Sequence, residues 1–441
     1  MPENKMPENK MPENKMPENK MEDGMAVFDD NGPVPTRWRD PDHDPAPWTL
    51  HLTRHFGEPS RDPVRRAAVR RGLTKGDPLA DDLVAWMAGP AKGKGWRLFD
   101  QALTKGIATI EEPAPELAAF FARIDRRPDW VRDDLMRLGC EVALSTGPLL
   151  RYALGSGTLM VGYCSSAIAR VLVMTGALNG RTYKRLEETG KFAVDIFASG
   201  TVGRFSAGFA SAVRVRVMHA MVRRSLVGDP RWQAAAWGTP INQADMAATA
   251  LAFSLGMIGP LIDIGLTMSL WEREGVVQLW RYVGYIMGVD EDLLPDSYDQ
   301  AAALFSLLVR SQPDADDDSR SLSTALLGAG REALQGLPGR LGTVLADLDA
   351  ASYAGFSRHI IGKTAADTLG IPDSRWQWVP KAARPVIAAY NGLRRVPLVR
   401  ERAARLRLRQ LEGQIERAFA TRKPPFETGE GSPLKGQGKA G

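Results

Sequence analysis

From Val64 onward the apolar residues of this chain recur at spacings of three and four, and strand-like alternation is nowhere sustained. Ala, Leu, Arg and Met outnumber the β-branched residues, which favours helix in every stretch where packing does not decide otherwise. Leu79 to Met87 reads as a short amphipathic helix, and Glu116–Arg123 and Trp130–Leu138 continue the pattern, split by Arg126-Arg127-Pro128. The fold class is therefore all-α, and 441 residues suffice for one large helical domain with a sizeable core.

The ends read differently. Four copies of Met-Pro-Glu-Asn-Lys followed by Met-Glu-Asp-Gly-Met contain too little apolar surface to pack, so residues 1–25 read as a disordered repeat or tag. Residues 26–63, rich in Pro and Asp with Trp38, Trp48 and Phe56 spread through them, suggest an extended arm held to the body by aromatics. The helical domain runs over 64–423, and 424–441 reads as a disordered tail.

Two segments raise the question of a membrane span. Leu149 to Leu178 is interrupted by Arg151 and Arg170; Met246 to Ile262 is free of charge but short, and holds Gly256, Gly259 and Pro260. A spanning helix needs about 20 apolar residues, so both read as core. Asn242 is placed to cap the second segment, with Asp245 at the capping-box position. The Asp314–Asp318 cluster reads as a solvated loop or helix start, without the spacing of a calcium loop.

Arg394 to Lys423 is Arg-rich with Leu and Val interspersed. It is either a surface helix closing the domain or a contact for a membrane surface or acidic partner. The net charge of +5 gives no reason to invoke nucleic acid. Cys140 and Cys164 form neither a disulfide framework nor a CxxC motif, and no apolar leader follows the Met-Pro-Glu-Asn-Lys repeat. Both observations suggest a reducing, cytoplasmic setting.

Chemistry concentrates in Arg214–Arg224, Arg-Val-Arg-Val-Met-His-Ala-Met-Val-Arg-Arg. Of five histidines, three (His43, His51, His55) fall in the N-terminal arm, leaving His219 and His359 for the body. On a helix, Ala212, Val215, Arg216, His219, Val222 and Arg223 share one face. A neutral imidazole there could bind metal, with an arginine one turn to either side for an anionic rim. Composition alone weighs toward a core histidine satisfied by a carbonyl. Arg185 and Thr189 also share a helix face, with Glu188 beside Thr189.

Those residues belong to an ordered set. Arg185, Thr189 and the His219 segment are followed by Asn-Gln-Ala-Asp-Met-Ala-Ala-Thr at 242–249 and by Trp280-Arg281-Tyr282-Val283-Gly284. Met287-Gly288-Val289-Asp290 running to Leu294-Pro295, and Thr368-Leu369-Gly370-Ile371-Pro372, complete it. The set resembles the latex-clearing-protein and MpaB-type oxygenase family. The resemblance implies an all-α fold with a globin-like core holding haem b, with O2 as co-substrate. His219 would be the proximal iron ligand, Arg216 and Arg223 the arginines beside it, and Arg185 and Thr189 the pair near the haem.

Two departures qualify the chemistry. Rubber-cleaving members carry Lys where this chain has Glu188, and a proposed base, Glu, where it has Ala169. With no secretion signal evident, the expected substrate is a smaller, intracellular, apolar and unsaturated or isoprenoid-like molecule rather than polyisoprene. The alternatives are a non-catalytic haem protein and a helical membrane-surface or assembly protein with a decayed haem site. His359 is a candidate second ligand or distal residue, and Arg358 a candidate propionate partner. Oligomeric state is not legible from the sequence.

Overall fold

The computed structural model describes residues 34–419, apart from 90–92, 177, 179–181 and 335–338. The Met-Pro-Glu-Asn-Lys repeat and the 424–441 tail lie outside the described residues. Among those described there is no β-strand, and the chain is all-α.

The N-terminal third is built from α1 (Pro47–Thr53), α2 (Pro63–Gly72), α3 (Pro78–Met87), α4 (Lys94–Lys105), α5 (Pro115–Asp125) and α6 (Asp133–Ser145). Proline opens α1, α2, α3 and α5, where its missing N–H would have no helical partner and its fixed φ suits the first turn. Asp62 and Asp77 cap α2 and α3 through their side chains.

Residues 149–163 then run as α7 (Leu149–Arg151), a π-helical stretch (Tyr152–Leu159) and α8 (Met160–Tyr163). A bend of 95° leads into α9 (Ser166–Met174), so the Leu149–Leu178 segment is no straight span. Next come α10 (Thr182–Ser199), α11 (Ala207–Val227), the short α12 (Ala234–Trp237), α13 (Gln243–Ile264), α14 (Leu270–Ile286) and α15 (Tyr298–Arg310). The chain closes with α16 (Asp317–Leu334), α17 (Gly339–Thr368), α18 (Val379–Ala382), α19 (Arg384–Arg394) and α20 (Pro397–Phe419).

Helix α13 is the central strut. Asn242 caps it, accepting from the Asp245 N–H at 3.0 Å. The Asp245 carboxylate does not close a capping box; it takes a bidentate pair from Arg37 and a bond from Asn242 Nδ2. That buried pair, with Thr36 and Arg37 N–H donating to Ala235 and Ala236, holds the N-terminal segment to the body. The segment is thus anchored by charge as well as by buried Trp48 and Phe56, and it is helical over 47–53 rather than extended throughout.

Pro260 sits inside α13 and cannot donate to the Gly256 carbonyl. Thr158 of the π-helical stretch fills the gap, its hydroxyl donating to Gly256 O at 2.9 Å. Helices α6 and α14 cross so closely that a Cβ on Gly139 would collide with the Gly275 carbonyl, so glycine is obligatory at the contact. Ser269 and Glu272 form a full capping box at the start of α14. The same Glu272 receives the fully buried Arg394 of α19 at 2.8 Å, tying the C-terminal helices to this crossing.

Candidate active site on the α10–α11 hairpin

Helices α10 and α11 pack as an antiparallel pair joined by a short connection, stitched where Ser199 Oγ accepts from Gly208 N–H, while Ser206 Oγ caps α11 by accepting from Phe209 N–H. Counting back along α10 and forward along α11 from that connection puts Arg185, Glu188 and Thr189 roughly level with His219. The sequence-selected residues thus come together on one hairpin.

His219 stands in α11 with its Nδ1 sealed from solvent and no hydrogen bond to the ring among the described residues. Burial, reinforced by the Arg223 charge and opposed by Asp77, pushes its pKa down to about 4. The imidazole is therefore neutral at physiological pH, the form that ligates metal. A buried ring nitrogen left unpaired costs about 1–3 kcal/mol, and none of the described residues offsets that cost at Nδ1. Among the described residues no three His, Cys, Asp or Glu gather to hold a metal. The donor set suits a group that takes one protein ligand and brings the rest of its coordination with it.

The flanking arginines are placed differently from the sequence-based expectation. Arg216 gives Nε and Nη2 to Asp77 at 2.7 and 2.9 Å and Nη1 to the Ile286 carbonyl at 3.2 Å, while its guanidinium lies over Phe120. Both members of the pair are buried, and the Gly288 backbone presses against them. A Cβ on Gly288, whose φ is +85°, would come 2.5 Å from Arg216 Nε and Asp77 Oδ2. Arg216 is thus a structural tie from α11 to α3 rather than an open anion donor. Arg223 pairs with Asp81 at 2.9 Å and donates to Ile241 O at 2.7 Å, yet its Nη2 is buried and unpartnered. Among the described residues that nitrogen has no acceptor.

On α10, Arg185 donates to the Thr175 hydroxyl at 2.9 Å and to its carbonyl at 3.2 Å, linking α10 to the end of α9. Burial raises the Glu188 carboxyl above its ordinary value, against the lowering pull of Lys184 and Arg185; Lys184 lies 3.8 Å away. Next to Thr189, a Cβ added at Gly190 meets nothing within 4 Å, which leaves open space beside the hydroxyl-bearing turn. Ala169 is fully buried on α9.

His359 and Arg358 are engaged elsewhere. His359 Nε2 lies 3.1 Å from the Asp263 carbonyl at the end of α13, and Arg358 pairs with Asp367 and Asp373 and donates to Ile371 O. Both expectations for these residues are corrected by ordinary hydrogen bonding at a helix junction.

Sequence reasoning missed Asp77, Asp81 and Tyr163. Asp77 caps α3 just before Pro78 and Asp81 stands in its first turn, and only these positions hinted at a role. Tyr163 stands at the 95° bend, buried, with its phenol pushed up to about 12 and close enough to Arg185 to feel its charge. Leu172 of α9, Leu186 of α10, Met218 and Met221 of α11 and Phe253 of α13 are partly buried and pack against the core. Behind them Phe253 stacks on Trp280 at 4.6 Å, with Phe192 edge-on to Phe253.

Comparison with known proteins agrees with this architecture. A rubber oxygenase of Streptomyces sp. (strain K30) is 24% identical over 322 residues, spanning 70% of this chain and 69% of the relative. The solved structure of latex clearing protein LCP in the closed state superposes with a TM-score of 0.57 at 19% identity, covering 76% of this chain and 90% of that one. It shares the all-α fold. The family described as ER-bound oxygenase mpaB/B'/Rubber oxygenase, catalytic domain, matches residues 141–395, from within α6 to the end of α19. This chain, an oxygenase, belongs to the mpaB and rubber-oxygenase catalytic-domain family.

Proposed function

We propose that the chain is a haem b-dependent oxygenase acting on an apolar, unsaturated, isoprenoid-like substrate, with His219 as the proximal iron ligand. The observation that carries this reading is the His219 ring itself, neutral, half-buried on a core helix with Nδ1 sealed, and without a hydrogen-bond partner among the described residues. Bound haem would supply the redox-active iron at which O2 is used to open a carbon–carbon double bond. His219 would hold the group through its free imidazole, and the Arg223 Nη2 is the nitrogen open to a propionate.

The chain's own residues support the rest of the reading. Half-open apolar side chains on α9, α10, α11 and α13 would receive an apolar substrate and keep water away from it. Thr189 offers a hydroxyl beside the open space at Gly190. Glu188, raised by burial, is a carboxyl able to give or accept a proton nearer neutrality than an exposed one. Arg185 positions this turn of α10 through Thr175. The fully buried Ala169, standing where rubber-cleaving members have a carboxylate, favours a smaller substrate than polyisoprene. Buried free Cys140, its thiol pushed up to about 12, and buried Cys164 fit a reducing cytoplasm.

Absorption spectroscopy of the purified protein, titrated with haemin, tests the reading. A Soret band that His219→Ala abolishes or strongly shifts is expected, and a protein that gains no band sinks it. Oxygen uptake with a panel of short isoprenoids and with polyisoprene then separates the oxygenase from a non-catalytic haem protein. The latter keeps the band and consumes no O2 with any alkene.

A further inference from the structure

Outside the site, helix α19 (Arg384–Arg394) turns an apolar face to solvent along its whole length. Ile387, Asn391 and Arg394, at i, i+4 and i+7, form its inward stripe, and all three are buried. Pro385, Val386, Ala388, Ala389, Gly392 and Leu393 are exposed, and none carries a polar side chain. Val386 is 72% and Leu393 60% exposed. The face continues past the helix end, where Val396 N–H closes a turn onto Leu393 O at 3.1 Å and the Val396 side chain is 49% exposed. An ordinary surface helix is polar on its outer side. Here the polar groups point inward, Asn391 bonded to Thr267 and Arg394 to Glu272, and the outer side is apolar.

Cations border this face on the same helix. Arg384 and the C-capping Arg395 stand eleven residues apart, three turns, so both lie along one edge of α19, about 16 Å from each other. Both are exposed, and neither pairs with a carboxylate among the described residues. Arg395 donates to Thr267 Oγ1 at 3.4 Å, and the Arg384 stem lies against Gly265 at the C-terminal end of α13. Between Asp373 and Glu401 the chain has no acidic residue. The Arg-rich α20 differs, since its Arg400 and Arg405 pair with Glu141 and Glu401.

We propose that the outward face of α19 lies flat on an anionic phospholipid surface. Val386, Leu393 and Val396 enter the acyl boundary, while Arg384 and Arg395 meet lipid phosphates along the helix edge. Interfacial binding draws on this combination of an exposed apolar face and bordering basic side chains. A second copy of the chain is the weaker occupant. An antiparallel two-fold pairing sets the arginine edge against itself, and in either orientation the 374–400 stretch brings no carboxylate to receive it. Ala388, Ala389 and Gly392 leave the face smooth between Val386 and Leu393, so it offers no cleft for the side chains of a partner protein. The inference is independent of the haem reading.

The test is co-sedimentation of the full chain with phosphatidylcholine vesicles, with and without about one-third phosphatidylglycerol, at about 0.01 M and about 1 M salt. Binding is expected only to the anionic vesicles and is expected to fall sharply at high salt. Arg384→Gln with Arg395→Gln should weaken it about fivefold for each arginine removed. Val386→Glu with Leu393→Glu should abolish it at either salt. A local readout that leaves the face apolar comes from a polarity-sensitive dye on Leu393→Cys, since both natural cysteines are buried. Its emission should shift to the blue on anionic vesicles. The same dye on Val227→Cys should not respond. Val227 is exposed one turn past Arg223, which donates to Ile241 O at the start of α13, and α13 runs 22 residues, about 33 Å, to its end beside Arg384. No binding, equal binding to both vesicle types, or binding unchanged in either double variant overturns the proposal. So does a dye response at Val227 as large as that at Leu393. A parent dimer that Val386→Glu with Leu393→Glu dissociates, without vesicle binding in the parent, assigns the face to a second copy and overturns it as well.

Discussion

Substituting Asp77 by Asn isolates what holds the His219 helix in place. Asp77 and Arg216 are 4% and 3% exposed at the side chain, and they share two hydrogen bonds of 2.7 and 2.9 Å. Asn preserves the shape and one acceptor oxygen, and it caps a helix as well as Asp does, so α3 keeps its start. What disappears is the counter-charge, leaving the Arg216 guanidinium buried beside Phe120 with only Ile286 O and an amide. Removing one member of a buried pair costs about 3–5 kcal/mol, and the retained oxygen argues for the lower end. Arg216→Met strands Asp77 in turn and should cost about as much. The double variant should cost little more than either single one, because no orphaned charge remains. Urea unfolding followed by circular dichroism measures all three. If Asp77→Asn lies within about 1 kcal/mol of the parent, or if the two single costs simply add, the pair is not the tie described here.

Three other perturbations have definite signs. Gly139→Ala forces a Cβ into the Gly275 carbonyl and should destabilise by at least ~1–3 kcal/mol, whereas Gly413→Ala, in open space on α20, should gain about 1 kcal/mol in thermal or urea unfolding. Thr158→Val keeps the volume but leaves the Gly256 carbonyl without a donor, at a cost of about 1–3 kcal/mol; a neutral result would mean that Pro260 has another compensation. Burial, then the Arg54 charge, hold the His51 pKa below 6.5, against the raising influence of Asp263 and Ile360 O. The unfolded chain therefore takes up this proton first, so His51 contributes stability that is full above pH 6.5 and is lost as pH falls through it. Hydrogen exchange over 47–56 should rise across that window, and His51→Gln should flatten the dependence; an unchanged profile would remove His51 as its source.

Much of the secondary structure was legible because helix is specified locally. Leu79–Met87 and Glu116–Arg123 fall inside α3 and α5, where apolar spacing agrees with a proline at the first turn. Asn242 capped as its residue type suggested. The capping box drawn there from Asp245 failed because a buried Arg37, far away in sequence, offers that carboxylate a stronger partner. The histidine segment was legible as a helix, but its arginines were not. An arginine one turn from a metal-binding candidate looks the same in sequence whether it faces a ligand or an aspartate on another helix.

By itself, then, the chain's sequence determined an all-α body and its principal helices, since periodicity and caps act within a few residues, and it singled out His219 as the candidate ligand. Tertiary structure alone decided what each charged group is for. It gave Arg216 to Asp77, Arg358 to Asp367 and Asp373, His359 to the end of α13, and left His219 without a hydrogen-bond partner among the described residues. The reason is physical: a buried polar group takes whichever partner packing brings within about 3 Å, and those partners lie on helices distant in sequence.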